Sequence, residues 1–210
     1  LELANSIANR NNPLTGRVAV NRVWLHLFDR GLVDSPSDFG VRTDQPTHPE
    51  LLDYLAISLM DRNWSMKSLI RQIVMSETWQ QCSDRRLDAE AVDPENRLFA
   101  RMNRTRLDFE AQRDSVLAVA GRMDKTTGGK SVDVTTDTET PRRTIYARID
   151  RQNFPGLFRT FDMASPDAHS PRRFQTTVPQ QALFELNSPF IMNRAAGIAQ
   201  ATVDTVGAND

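Results

Sequence analysis

The sequence predicts a mainly α fold, a single helical domain over residues 13–205 with a small β-hairpin or strand near 131–149. Three observations carry this expectation. Apolar residues recur at helical spacing in several separate stretches. Helix-start residues (Ser, Thr, Asp or an early Pro) precede most of them. Only residues 144–149, Thr-Ile-Tyr-Ala-Arg-Ile, have the β-branched and aromatic content of a strand.

The elements follow in chain order. Residues 1–12 are polar and read as a tail left by excision from a longer chain, which places any signal peptide upstream. A helix is expected from Thr15, with Val18, Val20, Val23, Trp24, Leu27 and Phe28 on its apolar side. Thr15 would cap its start and Gly31 would supply the left-handed residue after its end. Residues 32–45 are rich in Asp, Ser, Pro and Gly and read as an ordered loop.

Thr47-His48-Pro49-Glu50 reads as a second helix start, with Thr47 and Glu50 at capping-box spacing and Pro49 in the first turn. Leu51, Leu52, Leu55, Leu59 and Met60 carry that helix to about Arg62. Ser65 caps a third helix, whose stripe of Met66, Leu69, Ile70, Ile73 and Val74 extends to about Trp79. Residues 82–91 read as a charged loop, Pro94 as the start of a short helix through Arg101, and Asp108 as the start of a long helix to Arg122.

Residues 123–141 hold Gly128, Gly129 and six Thr but no aromatic side chain, which reads as a mobile or functional loop. Residues 131–134 are the expected hairpin partner of 144–149. One or two helical turns follow at 155–161. Two helices, broken at Asn187-Ser188-Pro189 with Ser188 capping the second, span 179–201.

Composition narrows the function. Hydrophobic residues make up 39% and charged residues 25%, enough for a packed core. No stretch reaches the roughly 18 apolar residues that a membrane span requires. The net charge of −1 argues against a nucleic-acid binder driven by phosphate neutralisation. Cations are overwhelmingly Arg, with only Lys67, Lys125 and Lys130 as lysines. Arg suits planar, forked contacts to carboxylates, although base composition of the gene gives the same bias. The single cysteine, Cys82, excludes an internal disulfide, a Cys-rich zinc site and a C-x-x-C-H haem attachment.

Three stretches together resemble one family. They are Asn12 through Val33 (Asn-Pro-Leu-Thr-Gly-Arg-Val-Ala-Val-Asn-Arg-Val-Trp-Leu-His-Leu-Phe-Asp-Arg-Gly-Leu-Val), Asp38-Phe39-Gly40 with the later Pro46-Thr47-His48-Pro49-Glu50-Leu51-Leu52-Asp53, and Arg172-Arg173-Phe174-Gln175-Thr176-Thr177-Val178-Pro179-Gln180-Gln181-Ala182-Leu183-Phe184 followed by Leu186-Asn187-Ser188-Pro189-Phe190. The chain resembles the C-terminal domain of unknown function of large planctomycete proteins, which also carry a planctomycete-type cytochrome c domain. The likeness covers about residues 12–195. It implies an exported protein of the periplasm or cell envelope and a haem-bearing domain upstream, and it supplies no activity or catalytic residues. Asp29 departs from the family pattern, which usually has Gly after the Phe, so the turn at that helix end is in question.

Candidate site residues are few. His26 stands four residues after Arg22 and four before Arg30, an arrangement for proton transfer or partner binding, yet a lone helical His is more often a satisfied structural one. His48 with Glu50 and Asp53 has the composition of an acid–base group, but the helix start already accounts for both His48 and Glu50. Asp38 is either a catalytic loop carboxylate or a turn residue bonded to its own backbone. Arg172-Arg173-Phe174, ahead of a helix start, suits an anion or a partner, or else a tie to an acid of another helix. His26, His48 and His169 would form a metal site only if the fold gathered them, and no nucleophile-elbow motif is present.

The preferred reading is an interaction or scaffolding module without a cofactor of its own, docking on sister domains of its parent chain. One alternative is a hydrolase-like enzyme on a polysaccharide or other anionic polymer, with Asp38, His48 and Arg172–Arg173 lining one cleft. The other is a docking surface for the upstream cytochrome c domain.

Overall fold

The computed structural model describes residues 1–207 and is mainly helical, with 46% of residues in helices. Among the described residues these are α1 (Glu2–Ile7), α2 (Thr15–Phe28), α3 (Pro49–Asp61), α4 (Met66–Val74), α5 (Leu87–Val92), α6 (Phe109–Val119), α7 (Gly156–Thr160), α8 (Pro179–Asn187) and α9 (Pro189–Gly207). The span expected as one helical body divides into two compact units, Leu1–Thr105 and the chain from Arg106 onward.

In the first unit, α2 packs on α3 and α3 on α4. Gly16 makes the α2–α3 approach close, since a Cβ there would stand 3.3 Å from the Ala56 Cβ. The interior is Val20, Trp24, Phe28, Leu32, Leu52, Leu55, Leu59, Leu69, Ile73 and Phe99. Trp24 stacks on Phe28 with ring centroids 4.2 Å apart, and Phe99 and Trp79 meet Phe28 edge-on. Such aromatic pairs each add about 0.5–1.5 kcal/mol beyond their buried area.

Several helix ends differ from expectation. Leu14, not Thr15, is the N-cap of α2, and the Asn12 side chain accepts from the Leu14 and Thr15 amides. Thr15 is occupied instead with the Ile7 carbonyl, which ties α1 into the unit, so residues 1–12 are a structured segment. The left-handed residue after α2 is Asp29 at φ 63°, not Gly31. The turn that glycine favours is therefore kept with Asp in it.

Gly31 serves a different need. A Cβ there would strike the Val33 carbonyl and lie 2.8–2.9 Å from the Asn21 amide atoms. Fully buried Asn21 donates to Val33 O and accepts from Val33 N, binding the end of the 29–33 turn to α2.

The capping box at α3 does not form. His48 is the N-cap with no side-chain cap bond, so Glu50 falls one position short of closing a box. Thr47 turns back to the Leu32 carbonyl. Ser65 does cap α4, accepting from the Ser68 amide, but α4 ends at Val74, before Trp79.

The short helix of this region is Leu87–Val92, where a loop was expected, and the stretch after Pro94 is turns. Asp93 captures the Arg97 and Leu98 amides and Asn96 sits at φ 52°, which stops a helix there.

In the second unit, Phe109 of α6, Phe158 and Phe161 of the α7 region, Val134 and Phe184 of α8 form the apolar core. Asp108 caps α6 through the Ala111 amide. The expected hairpin is absent. Residues Thr144–Tyr146 form one 3₁₀ turn, and the β features here are two isolated parallel bridges, Asp124 with Arg142 and Val132 with Ala147. Asp114 on α6 explains this: its Oδ1 accepts both the Thr144 amide and the Thr144 hydroxyl at 2.7 Å. That capture by a side chain of α6 overrides the β propensity of the segment.

Candidate functional site

The Arg172–Phe174 segment separates into a clamp and two free side chains. Arg173 makes a forked pair with Glu110 in the first turn of α6, at 2.7 and 2.6 Å, and lies 3.6 Å from Asp108. Burial pushes the Glu110 carboxyl up, but the Arg173 hydrogen bonds, a backbone amide and the guanidinium charge outweigh it, so Glu110 titrates below its ordinary value. The same Glu110 hydrogen bonds raise the Arg173 value. Arg172 is exposed, with no side-chain partner among the described residues, and Phe174 is 76% exposed.

Beside this clamp lies a polar hub that sequence reasoning did not single out. Buried Gln181 accepts from Arg106 at 2.6 Å and donates to Thr160 O at 2.7 Å. Its Oε1 also accepts from the Val178 amide, ahead of α8. Asp162 takes the Thr176 amide and hydroxyl and faces Arg106. Every polar atom named here has a partner within the fold, so this hub orders the 162–181 stretch and offers no reactive group.

Two buried arginines were also missed. Arg113 of α6, 3% exposed, donates to Arg142 O, Thr140 O and Thr144 Oγ1, and stacks 4.8 Å over the Phe190 ring. Burial lowers its basicity. Arg194 of α9 lies 5.4 Å from the same ring and binds Glu139 and the Thr138 carbonyl, while its Nε has no partner. Arginine in a sequence reads as surface, and only the two flanking helices make these interior. The signal available was a Phe and an Arg one turn apart at 190 and 194.

The first unit holds Asp38, His48, Glu50, Arg22 and His26. Asp38 accepts the Gly40 amide at 2.8 Å, and its carbonyl is taken by Ser35 and Thr43. This is the turn role, and no bond joins Asp38 to His48 or Glu50 among the described residues. His48 Nδ1 lies 2.9 Å from Thr47 Oγ1, and its ring is 6.0 Å from Phe99. Glu50 is exposed.

Arg22 and His26 are exposed on α2, and Arg30 is engaged with Asp34 and Glu95 instead of His26. His26 and His48 belong to one unit and His169 to the other. Among the described residues no three His, Cys, Asp or Glu side chains gather as a metal site, and no helix is long and apolar enough to cross a membrane.

No curated protein and no solved structure shows significant similarity to the chain. A family model described as PSD1, protein of unknown function (DUF1553), matches residues 1–208. With two helical units and a match of that extent, the chain belongs to the PSD1 (DUF1553) family of proteins of unknown function.

Proposed function

We propose that this chain is a non-catalytic interaction module of a multidomain, exported bacterial protein, docked on neighbouring domains of its parent. The observation that supports the reading is uncovered surface. The accessible area is 14217 Å². One compact body of this mass exposes about 9,900 Å², and two separate bodies of half that mass about 11,900 Å². The excess of at least about 2,000 Å² is the scale that one side of a large permanent interface covers.

Much of that surface is apolar. On α8 and α9, Leu183, Leu186, Met192, Val203 and Val206 are exposed. Residues 199–206 of α9 have no buried or half-buried position, and a short free helix rich in Thr, Val and Ala is marginal in water. A covering partner gives such a helix its stability.

The reading extends to the partner. A haem-bearing domain upstream is one candidate neighbour, and the periplasm or cell envelope is the location that goes with it. For a hydrolase acting on a polysaccharide, Asp38 is poorly placed, since its carboxylate is folded onto the Gly40 amide. The test is amide hydrogen exchange of residues 195–206 in this chain and in its parent protein. The expected outcome is fast exchange here and strong protection in the parent. Equal, fast exchange in both refutes the docking reading.

A further inference from the structure

We infer that the Gly128–Gly129 turn and the 142–148 segment of the second unit together form a binding surface for an anionic polysaccharide, with Lys125, Lys130 and Arg148 as its free cations. The two segments are fastened to each other. Arg142 donates to the carbonyls of Thr126 and Gly128 and stacks 4.1 Å over the Tyr146 ring. The Gly128 amide donates to the Tyr146 hydroxyl at 2.9 Å. Val132 donates to Tyr146 O and accepts from the Arg148 amide. Gly128 and Gly129 take φ of 80° and 92°, so the turn between the lysines needs glycine at both positions.

This surface is basic on a chain that is not. Residues 122–151 carry seven Lys and Arg against four Asp and one Glu, a net +2, while the chain as a whole carries −1. Two of the three lysines in the protein stand at 125 and 130, five residues apart across this one turn.

The local acids are already committed. Asp124 faces Arg142, Asp133 takes the Thr135 and Thr136 amides, and Asp150 takes those of Gln152 and Asn153. Arg143 is answered by Asp114. Lys125, Lys130 and Arg148 are exposed and have no side-chain partner among the described residues.

The chemistry between the cations favours a sugar polymer over an acidic peptide or a nucleic acid. The Thr127 and Ser131 hydroxyls, close in sequence to the two lysines, and Gly129 are exposed, which suits polyhydroxyl chains. The ring face that could stack on a base is already covered by Arg142.

The test measures binding of the full chain to dextran sulfate, with neutral dextran, poly-glutamate and duplex DNA alongside, across a salt series. Wild type is expected to bind dextran sulfate best and neutral dextran not at all. Lys125→Ala/Lys130→Ala is expected to weaken binding about tenfold at low salt and to flatten the log–log salt dependence by about 1–2. Both lysines are exposed, so an unchanged circular dichroism spectrum is expected. Lys67→Ala, on α4 of the other unit, is the control and is expected to bind as wild type. An equal loss in the Lys67 variant overturns the proposal. So does binding to poly-glutamate or duplex DNA as tight as to dextran sulfate.

Discussion

In the first unit the interior is mostly apolar, with thirteen buried hydrophobic residues, Trp24, Phe28 and Phe99 among them, against the two buried amides of Asn21 and Asn96. In the second, six buried hydrophobic residues (Phe109, Leu117, Val134, Phe158, Phe161 and Phe190) share the interior with Arg113, Arg194, Thr140, Thr144 and Gln181. The first unit is stabilised by removing apolar surface from water. The second depends on guanidinium groups that hold loop carbonyls in place, where a lost partner leaves a buried polar group unpaired. Two halves of one chain of similar length thus reach compactness by different physics, and substitutions tell them apart.

The largest effect is expected in the apolar core. Phe28→Ala removes a ring in contact with three others and should cost about 3–5 kcal/mol, read as a lower midpoint in urea unfolding followed by Trp fluorescence. The contrast breaks if Phe158→Ala, the least exposed ring of the second unit, costs more than Phe28→Ala.

Next comes Arg113→Met, which keeps bulk but leaves the Thr140 and Arg142 carbonyls without their donor. A loss of about 2–3 kcal/mol is expected, together with faster amide exchange confined to the 138–146 stretch. Unchanged exchange there would show that the guanidinium is not what holds the loop.

The smallest effect sharpens the comparison through pH. Glu110→Gln loses the charged partner of Arg173 and should cost about 1–2 kcal/mol at pH 7. Because the folded-state value of Glu110 is lowered, its contribution is complete above its unfolded value near ~4.3 and fades as pH falls through the folded one. The gap between wild type and the variant should therefore start to narrow as pH falls below the unfolded value and go on narrowing until the lower folded value is passed. A gap that stays constant to pH 3 would mean the pair adds nothing through its charge.

The same contrast explains what could be read from the sequence. The helices of the first unit were legible because Leu52, Leu55 and Leu59, or Leu69 and Ile73, repeat at helical spacing and bury those same faces. Ser65 and Asp108 were legible as caps because their role is local. The break at 187–189 was legible from Pro189 and Ser188.

What failed were features fixed by distant partners. Residues 144–146 carry a strand's composition, yet Asp114, some thirty residues earlier, folds them into a turn. Asp38 and Arg173 kept their structural alternatives, the first a turn residue and the second a tie to Glu110. Arg113, Arg194 and Gln181 left no trace in hydrophobic periodicity because polar residues are assumed to face water.

Gly31 and Asn21 carry a consequence for how this family can drift. The space a methyl group would need at position 31 is filled by the Asn21 amide and the Val33 carbonyl. The Val33 carbonyl is backbone and the nearest atom to that methyl, so shortening residue 21 does not make room for it, and position 31 is held to glycine for as long as the turn keeps its course. Glycine retained at 31 across otherwise divergent relatives, whatever happens at 21, is the genetic signature such crowding leaves.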